Sequence, residues 1–504
     1  MSSMRDRTDS LIGDRHFRCG IDVGTSYLKV SFVDESDRTV GATRRRSPVS
    51  SVLSGEPLFR PYAWFEEVVS AVVQAASGVA DDSGSGSRSS GILSPRPRSA
   101  GRLAFACVSP VVVAMPLDRP ADAVALPYWT LPDIDRGGSI DGVGEAAAGF
   151  ARTIRRFSLL ASVVAGGRVA FTDLGGYFVY LLTGRLTLNC ASAAEMGITS
   201  WSDLDEIGRT VRGAELPVLG SPSATAATVR SSEARAVTSL LTGWEASFGG
   251  SDSFAAALAT GADRTGDLMV YLGTFASLLR TRDDIAALPK SDPWPRSPYE
   301  WIVSVPGFGE HLEATATAMF PRRSLADALA AFVDLAGQAP AGAGGEILKV
   351  PVWGANGLAR GSYDLLSATP PRSRRPLVAR AVLESPAYPM LALGDTLVGD
   401  DDPSPHRANG ASRGLSSLPA LRVAGGGSRS RGWLEILATA LGREFVVKTD
   451  TTGNAGAIVL ATPGSTVRAS AGAAIVNVDG DADRVVIRGN LERLRGHYVA
   501  QKRD

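Results

Sequence analysis

Near the start of the chain, apolar and polar residues alternate over positions 28–32, which is typical of a β-strand with one face in the core. Positions 20–23 form a second short strand pattern directly before it. The residues between the two patterns, Gly24, Thr25 and Ser26, are therefore predicted to make the tight turn of a β-hairpin. Such a turn directs several backbone N–H groups and two hydroxyl groups into one concavity, which suits the oxygen atoms of a phosphate.

Asp22 ends the first of these two strands. From this position its carboxylate is able to reach a hydrated magnesium ion beside the turn. The alternative is a plain hairpin in which Asp22 caps its own turn. The hairpin pattern alone leaves both interpretations open, so Asp22 is a candidate metal-binding residue that needs support from the rest of the chain.

Helical periodicity appears in the segments that follow. Apolar residues between positions 61 and 77 form one stripe with Glu66 and Glu67 opposite, which predicts an amphipathic helix. A later helix is predicted to stop at Gly184, because glycine readily adopts the left-handed conformation that ends helices. Between these helices, residues 103–115 show a buried strand pattern that a Ser-Pro pair interrupts.

A single carboxylate follows two glycines near the middle of the chain, in the sequence Gly249-Gly250-Ser251-Asp252. The glycines permit a sharp turn, and the small residues that come next permit a closely packed helix, so Asp252 is predicted to stand at a helix start. A carboxylate presented in this way suits a general base. The alternative is that Asp252 is only the N-cap of the helix, which is a common role of aspartate.

Two strand patterns in the second half of the chain each run into glycines. Residues 270–272 lead into a turn at Gly273 and Thr274, and residues 421–424 lead into three glycines at a predicted helix start. Bare backbone at such a start lets a flat base or a ribose lie close to the chain. A flexible glycine-rich linker is the alternative, and it is disfavoured because apolar residues at helical spacing follow from Trp433 onward.

Composition narrows the class of protein. The 504 residues suffice for two domains, and Lys plus Arg equals Asp plus Glu at 52 each, so charge gives no reason to expect a nucleic acid or a membrane as partner. The three cysteines are far apart and fit a reducing cytoplasm. Neither an apolar segment near the N-terminus nor a run of about 18 apolar residues is found, so neither export nor membrane insertion is predicted.

Taken in order, five of these segments resemble those of the FGGY carbohydrate kinases, which include glycerol kinase, xylulokinase and ribulokinase. The segments are residues 18–34, 171–201, 248–261, 270–277 and 421–437. The resemblance implies an α/β fold of two actin-like (ribonuclease H-like) ATPase domains around a central cleft. It places a polar leader at 1–17, an acceptor-side domain at 18–262, an adenosine-side domain at 263–490 and a C-terminal tail at 491–504.

The resemblance also implies a function, which is the ATP-dependent phosphorylation of a hydroxyl group on a sugar, a polyol or a similar small molecule. Asp252 would be the catalytic base, and Asp22 would hold Mg²⁺ through water. The residues that would contact ATP are Gly24, Thr25, Ser26, Gly273 and Thr274 at the phosphates, and Gly426, Gly427, Ser428 and Ser430 at adenosine. The expected partners are the small-molecule acceptor and, as an assembly that the resemblance permits, a second copy of the chain.

The chain departs from these kinases where they bind the acceptor. Residues 108–113 contain no equivalent of the family's polar acceptor-binding residues, and residues 128–133 match the family's next segment only in part. We therefore expect xylulose and glycerol to be poor substrates, and the acceptor to be less hydroxylated, larger, or equipped with an apolar portion that fits beside Val111 and Val113. The departure also keeps open a kinase-like protein that binds nucleotide without transferring phosphate. A different actin-like ATPase is disfavoured by the order of the five segments.

Overall fold

The structure is a computed structural model. It describes residues 16–25, 27–47, 58–81, 101–127, 145–164, 167–230, 240–282, 299–353, 359–360, 363, 374–400, 421–448, 453–462, 474–476 and 481–503.

The described β-strands, numbered in chain order, are β1 (Phe17–Val23), β2 (Tyr27–Val33), β3 (Thr39–Arg46), β4 (Gly101–Cys107), β5 (Val111–Pro116), β6 (Val124–Pro127), β7 (Val169–Asp173), β8 (Thr187–Asn189), β9 (Val218–Gly220), β10 (Thr225–Thr228), β11 (Glu245–Ser247), β12 (Gly250–Ser251), β13 (Leu268–Leu272), β14 (Ala276–Thr281), β15 (Tyr299–Val305), β16 (Val352–Trp353), β17 (Ala359–Arg360), β18 (Leu421–Ala424), β19 (Phe445–Val447) and β20 (Ala474–Val476).

The described α-helices are α1 (Pro61–Asp81), α2 (Glu145–Val163), α3 (Leu174–Thr183), α4 (Cys190–Glu195), α5 (Trp201–Thr210), α6 (Asp252–Thr260), α7 (Phe308–Met319), α8 (Leu325–Gly337), α9 (Arg375–Glu384), α10 (Ala387–Asp400), α11 (Arg431–Leu441), α12 (Gly453–Leu460) and α13 (Asp481–Arg503). Short 3₁₀ helices span Pro120–Asp122, Ala341–Gly345 and Gly426–Arg429.

The local predictions are confirmed at several of these elements. β1 and β2 pair as an antiparallel hairpin around the Gly24 turn, and the amphipathic pattern at 61–77 lies within α1. α3 ends at Thr183, with Gly184 in the left-handed conformation at φ 72°. α6 begins at Asp252, as the two glycines and the small residues predict.

The chain forms two compact units that interleave along the sequence. The first unit comprises Met1–Ala259, Ala286–Pro298 and Thr452–Val467, and the second comprises Thr260–Ile285, Tyr299–Thr451 and Arg468–Asp504. The domains expected from the sequence are instead two consecutive stretches, 18–262 and 263–490. The difference arises because α12, late in the sequence, packs against β1 and β4 of the first unit.

Residues 491–503, expected as a C-terminal tail, are the second half of α13. This half is amphipathic, and it contributes Leu494 and Tyr498 to the apolar core of the second unit. The side chain of Tyr498 is fully buried. The charged residues of this segment lie on the exposed face of an amphipathic helix.

In the first unit, a seven-stranded sheet has the order β10-β11-β4-β1-β2-β3, and β12 also pairs with β4. β1 and β12 both run parallel to β4, where Ala106 pairs with Asp22 and Cys107 pairs with Ser251. The carboxyl ends of β1 and β12 therefore lie at the same edge of the sheet. Since Asp252 directly follows Ser251, this topology brings Asp252 to the edge at which β1 ends, one residue after Asp22.

The second unit is built on a six-stranded sheet of order β15-β14-β13-β18-β19-β20. β13 and β18 are parallel neighbours, and Tyr271 pairs with Ala424 at their carboxyl ends. The glycines that follow each strand are consequently adjacent, although about 150 residues separate them in the sequence. Helices α7, α8, α9, α10, α11 and α13 contribute apolar side chains to the core of this unit.

Helix α12 packs directly on the helix that carries Asp252. A Cβ atom on Gly456 would lie only 1.7 Å from the carbonyl oxygen of Ala255, so the two backbones are in contact at this point. The absence of a side chain at Gly456 is therefore a requirement of the packing of α12 against α6.

We expect Gly456→Ala to destabilise the first unit by about 1–3 kcal/mol, because the added methyl group must push the two helices apart. The measurement is the free energy of unfolding in urea. Gly496→Ala is the matched control, since Gly496 lies in α13 with no atom within 4 Å of its Cβ position. That control should be neutral or stabilising by about 0.5–1 kcal/mol. Equal effects of the two substitutions would contradict the close contact between α12 and α6.

Candidate active site

The Gly24 hairpin carries a buried carboxylate and one cation at its base. Asp22 is only 3% exposed, and its Oδ2 atom lies 2.6 Å from Nζ of Lys29, the residue opposite it on β2. The N–H of Gly24 donates to the carbonyl oxygen of Tyr27 at 3.1 Å, which closes the turn. Thr25 is half-buried in this turn, whereas Ser26 lies outside the described residues.

The donor atoms at this hairpin fit a magnesium ion held largely by water. Among the described residues, no three His, Cys, Asp or Glu side chains are arranged to hold a metal ion together. Mg²⁺ does not need such a cage, because it usually keeps several waters and uses one or two carboxylates together with phosphate oxygens. The Asp22 carboxylate supplies a hard oxygen donor of this kind, in line with its predicted role.

At the start of α6, the N-cap is Ser251 and not Asp252. The Oγ atom of Ser251 accepts a hydrogen bond from the N–H of Phe254 at 3.2 Å, which is the N-cap interaction of a helix. Asp252 accepts a hydrogen bond only 2.8 Å long from the N–H of Ser253, the next residue. Capping therefore does not depend on Asp252, and the alternative that this residue is only the N-cap loses its support.

Burial and neighbouring negative charges make Asp252 an unusually strong base for a carboxylate. Burial raises the pKa of Asp252 to about 8, and repulsion from Asp22 and Glu195 contributes in the same direction. The Ser253 N–H and the charge of Lys29 oppose this rise in the pKa, with smaller effects. A group whose pKa lies near the pH of the solution is well suited to accept a proton during a reaction.

Glu195, at the end of α4, is a part of this site that the sequence analysis missed. Its Oε1 atom accepts hydrogen bonds from Oγ of Ser251 at 2.7 Å and from Oγ of Ser253 at 3.4 Å. Burial raises the pKa of the Glu195 carboxyl above its ordinary value. Glu195 is the single charged residue in the stretch 187–198, and this isolated charge in an otherwise uncharged segment is the signal that marks it.

A further buried carboxylate, that of Asp173, interacts with this site. Asp173 is the N-cap of α3 and accepts hydrogen bonds from the N–H of Gly176 at 2.6 Å and from Nδ2 of Asn189 at 3.2 Å. Burial raises the pKa of Asp173 to about 6 in spite of these bonds. Burial raises the pKa of the Cys107 thiol at the end of β4, and the charges of Asp173, Asp22 and Asp252 raise it further, so all three carboxylates are near enough to act on this one group.

The expectation of an acceptor beside Val111 and Val113 is wrong. These side chains are 1% and 0% exposed, and both belong to the core under the large sheet of the first unit. Val112, which points the other way from β5, is buried in a second core with α2 and α5. The protein itself covers both faces of this strand, so its methyl groups are not available to a ligand. The polar groups near Asp252 come instead from Glu195, Ser251 and Ser253.

The second unit brings its predicted glycines together at the ends of β13 and β18. A Cβ atom on Gly425 would lie 2.3 Å from the carbonyl oxygen of Leu272, and one on Gly427 would lie 2.3 Å from the ring of Trp433. Packing alone thus accounts for the absence of side chains at these two positions. Gly426 differs, because it is exposed and its Cβ position has no atom within 4 Å. Gly426 therefore offers bare, accessible backbone of the kind that a nucleotide requires.

The hydroxyl groups and the second turn of this region also have defined partners. Oγ of Ser428 donates to the carbonyl oxygen of Gly425 at 2.7 Å, and Oγ of Ser430 caps α11 by accepting from the N–H of Trp433 at 3.4 Å. Gly273 and Thr274 form the turn between β13 and β14, where the carbonyl oxygen of Thr274 accepts from the N–H of Gly309 at 3.0 Å. The two predicted ATP-contacting segments of this unit are thus neighbours at the end of one sheet.

The structure gathers the predicted residues into two sets, one in each unit. Asp22, Gly24, Thr25 and Asp252 lie at one edge of the large sheet in the first unit. The residues of the second unit are Gly273, Thr274, Gly426, Gly427, Ser428 and Ser430.

Within the described ranges, no helix combines the length and the apolar character that crossing a membrane requires.

The raised pKa of Asp252 leads to a pH-dependent effect on stability. In the unfolded chain an aspartate titrates near about 3.9, so between that pH and about 8 the folded protein holds a proton that the unfolded chain lacks. The stabilisation by this proton is complete below about pH 4 and is lost as the pH rises through about 8.

We expect Asp252→Asn, which cannot ionise, to become progressively more stable than the parent between about pH 4 and pH 8, and the difference to be constant above that range. Thermal unfolding in the presence of a metal chelator measures this difference. Asp205→Asn, at an exposed position of α5, is the control, since it removes no buried charge. A difference in melting temperature that does not vary with pH would show that Asp252 is not a destabilised carboxylate.

Comparison with known proteins supports the fold that the sequence predicts. No protein-family model and no curated protein matches the chain. Among solved structures, a xylulose kinase from Rhodospirillum rubrum is 20% identical, with a TM-score of 0.63 over 96% of this chain and 98% of that one. A gluconate kinase from Lactobacillus acidophilus is 16% identical, with a TM-score of 0.67 over 97% and 99% of the two chains.

A glycerol kinase from Plasmodium falciparum, solved with ADP, is 12% identical and has a TM-score of 0.62 over 98% of this chain and 94% of that one. These structures match the chain over nearly its whole length. The predicted α/β fold class is confirmed at this level. The chain has the fold of the carbohydrate kinases.

Proposed function

We propose that this protein transfers a phosphoryl group from ATP to a hydroxyl group of a sugar, a polyol or a similar small molecule. The observation that carries the proposal is that the pKa of Asp252 is raised to about 8 while its carboxylate is not needed to cap its helix. Its position beside the Gly24 hairpin and Asp22 is the second support. The kinases that share this fold include enzymes named for xylulose, gluconate and glycerol.

ATP would supply the phosphoryl group, and Mg²⁺ would offset its negative charge. In the first unit, Asp22 would hold the ion through water, and the backbone and hydroxyls of Gly24, Thr25 and Ser26 would hold phosphate oxygens. In the second unit, Gly273 and Thr274 would contact phosphate as well. Gly426, Gly427, Ser428 and Ser430 would seat adenosine. The likeness to a kinase solved with ADP supports a nucleotide as ligand.

Asp252 would accept the proton of the acceptor hydroxyl as this oxygen attacks phosphorus. Its high proton affinity makes it a stronger acceptor than an ordinary carboxylate, and Lys29 limits the cost of keeping it charged. The small-molecule acceptor would lie beside the carboxylate of Asp252, which is partly exposed, whereas the serines that flank it are buried. The three cysteines are free and buried, which is compatible with the proposed cytoplasmic location. The proposal also includes the assembly of two copies of the chain into a homodimer.

The direct test is ADP release from ATP in the presence of a panel of polyols, ketoses, sugar acids and cyclitols. We expect at least one compound to increase ADP release, and Asp252→Asn to lower its turnover by roughly 10²–10⁴-fold while ATP binding is retained. Calorimetry measures the binding in the same samples. If ATP binds and no hydroxyl compound increases ADP release, the protein is instead a kinase-like nucleotide-binding protein without transferase activity.

Adenosine binding is tested separately at Gly426. We expect Gly426→Val to fold normally, because its Cβ position is open, and to weaken ATP binding by about tenfold or more, because the isopropyl group covers the bare backbone. Gly337→Val is the matched control, since Gly337 also has no atom within 4 Å of its Cβ position and ends α8. Parental ATP affinity in a folded Gly426→Val protein would show that adenosine lies elsewhere.

A further inference from the structure

Glu195 contacts the residues on both sides of Asp252, although 56 residues separate it from Ser251 in the sequence. One oxygen of its carboxylate accepts hydrogen bonds from the hydroxyls of Ser251 at 2.7 Å and of Ser253 at 3.4 Å. These two hydroxyl groups lie 3.0 Å from each other. The turn that presents Asp252 is therefore held from outside the helix by a carboxylate of α4.

The hydrogen bond to Glu195 fixes the direction in which the Ser251 hydroxyl donates its proton. A serine hydroxyl has one proton to donate and two lone pairs that accept. Because the proton of Ser251 points to Glu195, its lone pairs are left for the N–H of Phe254, which it caps at 3.2 Å. Without Glu195 the Ser251 hydroxyl would be free to donate to another partner, such as Ser253 at 3.0 Å, and the direction of its lone pairs towards Phe254 would no longer be fixed.

Glu195 also acts on Asp252 through its charge. Among the described residues, the ionisable groups that interact electrostatically with Asp252 are Asp22 of β1, Lys29 of β2, Cys107 of β4 and Glu195 of α4. Asp22 and Glu195 disfavour a negative charge on Asp252, whereas Lys29 favours it. Glu195 is in turn subject to burial and to the charge of Asp173, which raise its pKa, and to hydrogen bonds from the hydroxyls of Ser251 and Ser253, which lower it.

We propose that Glu195 is a positioning residue, which fixes the first turn of α6 through Ser251 and Ser253 and thereby orients the Asp252 carboxylate towards the acceptor hydroxyl. The proposal rests on the proposed function, because orientation matters only if Asp252 is the base. It goes beyond that function in naming a second carboxylate, on a different element, that the reaction requires. A small misplacement of a catalytic group is enough to slow a reaction substantially.

The first test compares Glu195→Ala with Glu195→Gln in the acceptor-dependent ADP assay. Alanine removes both hydrogen bonds, so we expect kcat to fall by roughly 10–100-fold while KM for ATP stays within about twofold. Glutamine still accepts from Ser251 but has no charge, so it should restore most of kcat at high pH. With the negative charge gone, the pH midpoint of kcat should also move to a lower value.

Glu206→Gln is the matched control. Glu206 lies in α5 of the same unit, its side chain is 46% exposed, and it pairs with Arg209 at the surface. We expect this variant to retain the parental kcat and the parental pH midpoint. A role of Glu195 in folding alone would lower the melting temperature of both Glu195 variants and leave the pH midpoint in place.

The second test needs no acceptor. The stability gain from Asp252→Asn is measured against pH in the parent and in the Glu195→Gln background, and we expect its midpoint to lie lower in the second case. Even if Glu195→Ala does not fold, a folded Glu195→Gln protein whose kcat stays strongly reduced at high pH overturns the proposal, as does a Glu195→Ala protein with parental kcat; an unmoved midpoint excludes the effect of the Glu195 charge on Asp252. A shifted midpoint in a protein that phosphorylates no acceptor overturns the proposed function instead.

Discussion

The candidate site depends on holding several carboxylates close together where little water reaches them. Asp22 and Glu195 repel a negative charge on Asp252, Asp173 repels one on Glu195, and burial is the largest cause of the raised pKa at Asp252, at Glu195 and at Asp173. Such a cluster is stable only if hydrogen bonds and a cation offset its repulsion. Lys29 supplies the cation, and serine hydroxyls supply hydrogen bonds to Glu195. These interactions do not fully offset burial and repulsion at Asp252, so its proton affinity stays high, which is the property a base needs.

Backbone contact is the second constraint, and it explains where glycine is required. Gly456 lets α12 touch α6, while Gly425 and Gly427 let the end of β18 lie against Leu272 and Trp433. These glycines are part of the packing, so their presence alone says little about a ligand. Gly426 is distinguished from them by its open surroundings, and the proposed adenosine contact therefore depends on this position more than on the glycine-rich character of the segment.

The features that the sequence predicts correctly are those that a few neighbouring residues determine. The hairpin at Gly24, the stop of α3 at Gly184 and the start of α6 at Asp252 each follow from a few adjacent residues. The contact of Glu195 with Ser251 joins residues far apart in the sequence, so no local pattern contains it. Apolar residues in β5 indicate burial, but they do not show that the protein covers both faces, and the acceptor predicted beside Val111 was wrong for this reason.

The central claim is that Asp252 takes the proton of the acceptor hydroxyl. A crystal structure with a non-hydrolysable ATP analogue, Mg²⁺ and the acceptor found in the ADP assay tests it most directly. The account predicts that one acceptor hydroxyl lies about 2.6–3.2 Å from a carboxylate oxygen of Asp252, which is hydrogen-bonding distance. An acceptor whose hydroxyl groups all lie beyond hydrogen-bonding distance of Asp252, with a different side chain beside the hydroxyl that faces the phosphate, would contradict it.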